Sequence, residues 1–410
     1  MKKSYFVLVF YCISNLFCIH SKPTYNNSMD IFSLIGLIFN TQFTTYTSTM
    51  ADARVYHTAT LLNTGKVLVV GGTSDNSTAL STAELYDPDP ALFTSTGSMK
   101  DKRGDHTATL LPSGKVLIVG GTTDGSTGLS TAELYDPDTG SFTYTSGRMS
   151  ESRFYHTATL LKTGKVLITG GTSDGSTALN TAEIYDPDTD TFSYTGSMIY
   201  NRMYHTATLL YNGNVIIIGG TSDNSTGLSF AELYSSSSNS FSSDMTLYNT
   251  TDSFIYHTAT LLNNEKVLVS GGVAELTSYS PTSYQDLYDT SLTTNSTYFW
   301  YIENLTMNTT RYKHTATLFN NGQVLIAGGV KSATSSTSIS SAELYDYSLF
   351  GSTTVFNNPT TGSMVTARSS HTATLLPSGK VLVTGGNTDS GITKSVELYD
   401  PSTGTWEEKK

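Results

Sequence analysis

HTATLLNTGKVLVVGG, the stretch from His57 to Gly72, recurs with small changes along the chain until residue 386. In all seven copies the first glycine follows the histidine by 14 positions, whereas successive histidines are 49, 50, 49, 52, 57 and 57 positions apart. A constant half and a variable half are typical of a structural unit with surface loops, and a period of about 50 residues indicates a repeat architecture. The histidines are His57, His106, His156, His205, His257, His314 and His371, and the first glycines are Gly71, Gly120, Gly170, Gly219, Gly271, Gly328 and Gly385.

Each copy reads as four β-strands. HTATLL and KVLVVGG are short runs rich in Thr, Val and Leu, joined by turn residues such as NTGK. A loop leads to a third run, AELYDP, whose proline ends the strand, and an aromatic run such as SFTYTSGRM precedes the next histidine. No helical period lies between them. One four-stranded sheet cannot bury both faces, but seven packed around an axis can, so the sequence predicts an all-β, seven-bladed β-propeller.

Several residues of the repeat carry a family resemblance. The double glycine, the tyrosine of ELYD and the aromatics of the fourth run (Phe142, Phe192 and Trp406) resemble kelch repeats over residues 42–410. More narrowly, RVYHTATLLNTGKVLVVGG and LLPSGKVLVTGG resemble the propeller domain of galactose oxidase and other copper-radical oxidases. The resemblance implies four-stranded kelch blades in which HTATLL lines the central channel, the double-glycine strand comes next and the aromatic strand is outermost.

The charge balance excludes some partners. The chain of 410 residues carries a net charge of −11, and only 14% of its residues are charged. Neutralising phosphates needs clustered Lys and Arg, which the sequence lacks, so we expect no nucleic-acid partner and no anionic membrane surface. We expect a monomer that recognises an unknown protein or carbohydrate ligand.

The N-terminus differs in kind from the repeats. In MKKSYFVLVFYCISNLFCIHS two lysines precede an apolar run from Tyr5 to Ile19, as in a secretory signal peptide, so residues 1–21 are predicted to be one. Residues 22–41 read as a linker, whose apolar stretch Ile31–Phe39 is too short to span a bilayer. We expect a secreted, extracellular protein without membrane insertion after cleavage; the alternative is a membrane anchor formed by an uncleaved N-terminal segment.

Glycosylation motifs agree with secretion. Asn-x-Ser/Thr occurs at Asn26, Asn76, Asn224, Asn249, Asn295, Asn304 and Asn308, some of which chance explains in a chain rich in Ser and Thr. Both cysteines, Cys12 and Cys18, lie inside the predicted signal peptide. The mature protein is therefore predicted to contain neither a disulfide nor a thiol.

The absence of a later cysteine decides most of the question of an oxidase. The resemblance to copper-radical oxidases implies a cofactor made from a tyrosine cross-linked to a cysteine, and no cysteine occurs between residues 19 and 410. The tyrosine–histidine pair that supplies copper ligands in that family occurs four times here, beginning at Tyr56, Tyr155, Tyr204 and Tyr256. A ring of one residue type does not supply the mixed, converging ligands of a copper site. We therefore expect no cofactor. We interpret each histidine as a residue at the start of an inner strand that hydrogen-bonds the backbone of a neighbouring blade; the alternative is that two or more line the channel and bind a metal or a substrate.

An arginine recurs three residues before the histidine, and an acid recurs in the third strand. We predict that they pair over the glycines at a partly exposed position, each pair contributing about 1 kcal/mol or less. The alternative is that the arginines surround the channel mouth and bind an acidic ligand. The arginines are Arg54, Arg103, Arg153, Arg202, Arg311 and Arg368, with Phe254 in copy five; the acids are Glu84, Glu133, Glu183, Glu232, Asp286, Glu343 and Glu397.

Function is expected where the repeat is broken. Copies five and six carry insertions, and in copy five Tyr279 and Tyr284 are predicted to lie on a longer loop as ligand contacts; drift in an unimportant loop is the alternative. Asp75, Asp124, Asp174 and Asp223 read as loop turns, since one carboxylate per loop is too few for calcium.

Two functions remain open at this point. The first is a secreted binding platform that recognises protein or glycan through its loop face. The second is a degenerate galactose oxidase-like enzyme with its site at the channel mouth. For closure of the ring, we predict that Gly404–Glu408 completes blade seven and that residues 42–50 lie against it or displace it.

Overall fold

A computed structural model of the protein describes residues 46–246, 254–277, 281–289, 305–331, 337–349, 356–357 and 361–409. Within these ranges the chain forms seven four-stranded antiparallel sheets. The first strand of each sheet contacts the first strands of the two neighbouring sheets, so that the seven close into a ring. The predicted all-β, seven-bladed propeller is confirmed.

The strands follow one another in chain order within each blade. Blade one contains β1 (Thr58–Leu61), β2 (Val67–Val70), β3 (Ala83–Asp87) and β4 (Leu92–Ser95). Blade two contains β5 (Thr107–Leu110), β6 (Val116–Val119), β7 (Ala132–Asp136) and β8 (Ser141–Tyr144). Blade three contains β9 (Thr157–Leu160), β10 (Val166–Thr169), β11 (Ala182–Asp186) and β12 (Thr191–Tyr194). Blade four contains β13 (Thr206–Leu209), β14 (Val215–Ile218), β15 (Phe230–Ser235) and β16 (Ser240–Thr246).

The last three blades repeat this arrangement. Blade five contains β17 (Thr258–Leu261), β18 (Lys266–Ser270), β19 (Tyr284–Asp289) and β20 (Leu305–Thr306). Blade six contains β21 (Thr315–Leu318), β22 (Val324–Ala327), β23 (Ala342–Tyr345), the 3₁₀ turn Tyr347–Leu349 and β24 (Phe356–Asn357). Blade seven contains β25 (Thr372–Leu375), β26 (Val381–Thr384), a small hairpin of β27 (Asn387–Thr388) and β28 (Gly391–Ile392), β29 (Val396–Asp400) and β30 (Thr405–Lys409).

Burial explains why the second strand of each blade is continuously apolar. All four residues of β2, VLVV, are buried, because one face of the strand packs on the blade before and the other on the blade after. Val67 and Val69 contact blade seven, whereas Leu68 and Val70 contact blade two. The first strands are only partly buried, as expected for strands that line the channel.

A methionine seven residues before six of the seven histidines fills the space between adjacent blades. Met99 packs with Leu68 and Val70 of blade one and with Val116 and Ile118 of blade two. Tyr135 of the ELYD motif and Phe142 of the outer strand, 4.8 Å apart between ring centroids, complete this cluster. The aromatic outer strand predicted from the sequence therefore stabilises the boundary between blades.

One of the two predictions about closure of the ring is confirmed. The C-terminal strand β30 completes blade seven by pairing with β29, as expected. For residues 46–50, the described part of residues 42–50, the predicted position against that strand is wrong, because Thr47 pairs with Phe93 in the outer strand of blade one. Met50 then packs between blades seven and one, against Leu382 among others, in the place that Met99 takes between blades one and two. The described part of the segment before blade one therefore contributes the side chain of Met50 to the boundary with blade seven, and it adds no strand to blade seven.

The predicted signal peptide (1–21) and the whole predicted linker (22–41), with Asn26, lie outside the described residues and stay predictions. The described residues include no helix long and apolar enough to cross a membrane. Of the other sequons, Asn76, Asn224 and Asn308 are exposed, and Asn249, Asn295 and Asn304 fall outside the described ranges.

Candidate functional site

The recurring histidines join adjacent blades. Nε2 of His106, at the start of blade two, lies 3.0 Å from the hydroxyl of Thr58 in the inner strand of blade one. The same bond recurs at every boundary and closes the ring, where Nε2 of His57 lies 3.1 Å from the Thr372 hydroxyl of blade seven. The partner is thus a neighbouring blade, as predicted, but it is a hydroxyl rather than the backbone. Burial lowers the pKa of His106 to about 3, so the ring is neutral.

The first glycine of each pair makes room for this histidine. A Cβ on Gly71 would lie 2.6 Å from both the carbonyl oxygen of Arg103 and Cε1 of His106. Gly71 also has a φ of 64°, which glycine adopts at little cost. The histidine and the glycine therefore recur together, because one packs on the other across the blade boundary.

Each recurring arginine is bound inside its own blade. Nη1 of Arg54 donates to the carbonyl oxygens of Gly71 and Thr82, at 2.8 and 3.1 Å, and Nη2 donates to Oε1 of Glu84 at 2.8 Å. The other oxygen of Glu84 accepts the backbone N–H of Ala51 at 2.8 Å. The predicted pairing of arginine and acid over the glycines is confirmed, and the acid also fixes the segment that enters the blade.

The expected partial exposure of these pairs is wrong. All six arginine side chains have no exposed surface, and their acids are at most 6% exposed. The guanidinium of Arg54 lies among the carbonyl oxygens of Gly71 and Thr82 and its acid, out of contact with solvent. A ligand at the surface therefore has no atom of Arg54, Arg103, Arg153, Arg202, Arg311 or Arg368 to contact.

Blade five replaces the pair with another buried contact. Phe254 takes the arginine's position and packs on the neighbouring glycine, where a Cβ on Gly219 would lie 3.0 Å from Cβ of Phe254. Asp286 accepts a hydrogen bond of 2.8 Å from the hydroxyl of Tyr288. Loss of the arginine and shortening of the acid thus occur together, as expected for coupled positions.

The position just before each histidine is different. Its seven residues all have φ values between 51° and 59° and are partly exposed. Non-glycine residues with positive φ are uncommon and cluster at functional sites. Together they surround the channel opening on the face that carries the double-glycine loops, and line a cavity of about 270 Å³. We call them the mouth ring: Tyr56, Asp105, Tyr155, Tyr204, Tyr256, Lys313 and Ser370.

Aromatic and charged groups meet in the mouth ring. The rings of Tyr155 and Tyr204 have centroids 4.2 Å apart, and those of Tyr204 and Tyr256 are 4.5 Å apart. Nζ of Lys313 lies 4.5 Å from the centroid of Tyr256, within the range of a cation–π contact. Burial raises the pKa of Asp105 to about 7, against the opposing effect of Lys313. Burial also lowers the pKa of Lys313.

A polar groove continues from the mouth ring over blades six and seven. Its volume is about 660 Å³, and Lys313 and Ser370 line both this groove and the mouth. The remaining wall is mostly hydroxyl, amide and carboxylate groups from Asn76, Ser338, Ser369, Asn387, Thr388 and Asp389, with Tyr312. The loop face therefore offers one continuous concave surface.

The sequence reached only part of this site. The tyrosines were visible as tyrosine–histidine pairs, but Asp105, Lys313 and Ser370 were missed. The available signal was variation: the position directly before the constant histidine reads Tyr, Asp, Tyr, Tyr, Tyr, Lys and Ser. Of the tyrosines predicted as contacts, Tyr279 lies outside the described residues. Tyr284 is not on a loop as expected, because it begins β19 and pairs with Thr306.

The aspartates of the loops form turns, as predicted. Oδ1 of Asp124 accepts the backbone N–H groups of Ser126 and Thr127, each at 2.8 Å. These hydrogen bonds lower the pKa of Asp124, so it stays ionised inside its own turn. Among the described residues, no group of three or more His, Cys, Asp or Glu side chains is placed to hold a metal ion.

The fold, the double glycines and the inner-strand ring define a kelch-type β-propeller. Residues 56–272 match the KLHDC2/KLHL20/DRC7 Kelch-repeats domain, and residues 368–409 match the Kelch motif. The chain belongs to this kelch-repeat family. No curated protein matches it by sequence.

Solved structures share the fold at low identity. One is described as a novel fungal alcohol oxidase with catalytic diversity among the AA5 family, in complex with copper; it has a TM-score of 0.67 at 18% identity, over 84% of this chain and 73% of that one. Another, the structure of YjhT, has a TM-score of 0.55 at 12% identity, over 89% of this chain and 99% of that one.

The copper-radical centre that this resemblance implies does not fit the residues present. No cysteine follows Cys18 that could be cross-linked to a tyrosine. In a pair such as Tyr56–His57 the two side chains lie in different environments and do not converge on one site. Tyr56 lines the mouth, while Nε2 of His57 is held by the hydroxyls of Thr372 and Thr384 at 3.1 and 3.0 Å.

Proposed function

We propose that the protein is a secreted binding platform that holds a protein or glycan ligand at the mouth ring and on the surrounding loop face. The mouth ring carries the proposal. The histidine, the first threonines and the double glycine of the repeated motif are constant because they build the blade, whereas the partly exposed position that faces the opening varies. Variation at one exposed position of a rigid repeat is what a recognition surface needs, since the scaffold fixes the side chains and their chemistry selects the ligand.

The composition of the mouth supports binding. Tyrosines give large, rigid contact area with few rotatable bonds to order, and their hydroxyls donate and accept hydrogen bonds. Tyr56, Tyr155, Tyr204 and Tyr256 are all partly exposed there. Secretion is supported by the N-terminal sequence, and the exposed sequons at Asn76 and Asn224 agree with it. Asn76 also lines the groove beside the mouth.

The test is ligand capture by the intact secreted protein, on a glycan array and from extracellular extracts. Tyr155→Ala should abolish capture of whatever the native protein binds. Tyr194→Ala is the matched control, since Tyr194 belongs to the same blade but is 57% exposed in the outer strand. The proposal would be contradicted if both variants lost capture equally, or if neither variant lost it. Thermal unfolding of each variant separates lost binding from lost folding.

Two further arms complete the experiment. Tyr279→Ala and Tyr284→Ala test the two tyrosines that the sequence predicts as contacts; they should weaken capture if the ligand extends beyond the mouth to blade five. Loading with copper and galactose tests the oxidase alternative, and we expect no hydrogen peroxide. Peroxide that Tyr56→Phe removes would favour the enzyme.

A further inference from the structure

The mouth ring contains one acid and one base, and they lie on opposite sides of the opening. Asp105 belongs to blade two and Lys313 to blade six, so three blades separate them one way around the ring and two the other way. Both line the same cavity of about 270 Å³. Each residue sits where its neighbours in the ring are tyrosines or a serine.

Neither charge is neutralised by a direct partner. Within the described part of the chain, the carboxylate of Asp105 accepts no hydrogen bond, and the ammonium of Lys313 contacts the face of Tyr256 rather than an acid. By contrast, the six buried arginines that precede the histidines are each paired directly with an acid, as Arg153 is with Glu183 at 3.0 Å. Two half-buried charges left apart raise the energy of the empty site, and a ligand with complementary charges lowers it.

The walls of the cavity suit a cation on one side and an anion on the other. Tyr56 and Tyr155 are the ring neighbours of Asp105, so an ammonium on that carboxylate would also meet aromatic faces. The contact of Lys313 with Tyr256 shows that a tyrosine of this ring already accepts an ammonium. Ser370 is the ring neighbour of Lys313 and adds a hydroxyl donor for an anion.

We infer that the mouth ring binds a zwitterionic group, in which a primary ammonium lies on Asp105 between Tyr56 and Tyr155 and a carboxylate lies on Lys313 and Ser370. This inference rests on the proposed function, because it takes the mouth to be the binding site. A ligand with one charge leaves the opposite protein charge unanswered in the cavity. A zwitterion neutralises both Asp105 and Lys313. The cavity is large enough for a group of a few carbon atoms.

Isothermal titration of the intact secreted protein tests this inference with probes of fixed chemistry. The zwitterions are glycine, 4-aminobutyrate and 6-aminohexanoate, which separate the charges by increasing lengths. Butylamine and butyrate carry the two charges of 4-aminobutyrate singly. At least one zwitterion should bind about tenfold more tightly than either singly charged probe. Equal binding of a singly charged probe, or binding of none of the zwitterions, overturns the inference.

Substitution of Asp105 and Lys313 tests which residue binds which charge of the ligand. Asp105→Asn keeps the shape of the side chain and Lys313→Gln keeps a polar one without the charge, and each should weaken binding of the best zwitterion by about tenfold. Lys380→Gln is the control, because Lys380 pairs with Asp400 at 2.9 Å at the opposite ends of the strands, away from the mouth; it should change nothing. Unchanged affinity in both mouth variants overturns the inference.

A competition experiment separates this inference from the proposed function. If the best zwitterion displaces the captured protein or glycan, the zwitterionic group belongs to that larger ligand; if it binds without displacing it, the group is recognised as a free small molecule. Capture that depends on Tyr155, together with no binding of any zwitterion, leaves the proposed function standing and removes only this inference. Absence of both removes both.

Discussion

Nη2 of Arg153 lies 3.0 Å from Oε1 of Glu183, and neither side chain has any exposed surface. The guanidinium also donates to the carbonyl oxygens of Gly170 and Thr181, at 2.8 and 3.2 Å. The other carboxylate oxygen accepts the backbone N–H of Ser150 at 2.9 Å. One ion pair thus holds the entry segment, the double glycine and the third strand of blade three together.

Removal of the arginine should therefore be costly. Arg153→Ala leaves Glu183 buried and unpaired, which should lower the free energy of unfolding by about 3 to 5 kcal/mol. Lys165→Ala is the control in the same blade, because its pair with Asp186 is partly exposed, at 45% and 23%, and should contribute at most about 1 kcal/mol. Chemical denaturation measures both.

A double variant checks the cause of that loss. Arg153→Ala combined with Glu183→Gln removes the unpaired charge, so part of the lost stability should return. Additive losses from the two single changes would show that the residues act independently and would contradict the pairing.

Two glycines of blade two, both between β6 and β7, separate steric crowding from backbone strain. Gly120 and Gly125 have φ values of 60° and 77°, so alanine is strained at both, at about 1 to 2 kcal/mol. A Cβ on Gly120 would lie 2.4 Å from the carbonyl oxygen of Arg153, whereas a Cβ on Gly125 meets nothing within 4 Å. Gly120→Ala should therefore destabilise the protein clearly more than Gly125→Ala. Similar melting temperatures for the two would show that the blades are not packed as tightly as the distance indicates.

The sequence predicted the fold well because the fold is made of what repeats. The constant separation of His106 from Gly120 reflects one hairpin, β5 and β6, whose length cannot vary within a closed ring. The acid Glu133 and the arginine Arg103 could be paired by strand direction alone. Their burial could not be predicted, since it depends on how far the loops of the finished blade extend over the pair.

The candidate site was predicted less well, for a physical reason. Asp105 and Lys313 are 208 positions apart, and only closure of the ring brings them to one cavity. Variation at their position was visible in the sequence, but its meaning depended on a left-handed backbone conformation that directs the side chain to the opening. The position of Met50 could not be predicted for a similar reason. It fills the space between blades seven and one, as Met99 does between blades one and two, and these blades become neighbours only when the ring closes.

The histidine ring should make the protein sensitive to acid. Burial lowers the pKa of His106, His205, His257 and His371 to about 3, from 6.5 in the unfolded chain, and lowers it well below 6.5 in the other three. The unfolded state therefore binds protons that the folded state does not. Stability should be complete above pH 6.5 and fall towards pH 3, with a slope of about 1.4 kcal/mol per pH unit for each protonated histidine. Denaturation at pH 7, 6, 5 and 4 measures this slope.

One hydrogen bond of the ring can be tested alone. His156→Gln keeps a polar side chain that does not titrate and should reduce the slope by one histidine's share, while Thr107, its partner at 3.0 Å, remains. An unchanged slope would mean that His156 is protonated in the folded protein as well.

The unpaired acid of the mouth ring should have the opposite dependence on pH. The pKa of Asp105 is raised from 3.8 to about 7, mainly by burial, so the folded state keeps a proton that the unfolded state has lost. The carboxylate therefore destabilises the fold increasingly between pH 4 and 7, and by a constant amount above pH 7. Lys313 and Tyr204 face it from blades six and four, and the lowered pKa values of His314 and His371 keep these two neutral in this range.

Asp105→Asn should consequently be more stable than the native protein at pH 8, by on the order of 1 to 2 kcal/mol after allowance for solvent screening of a partly exposed group. The difference should shrink as the pH falls from 7 to about 4 and vanish at lower pH, where Asp105 is protonated in both states. Asp124→Asn is the control of opposite sign, because hydrogen bonds from Ser126 and Thr127 lower the pKa of Asp124. It should destabilise the protein at pH 8 and lose this effect in acid. Thermal unfolding of both variants across pH 4 to 8 measures the two trends, and a constant offset for Asp105→Asn would show that its carboxylate is solvated at the mouth.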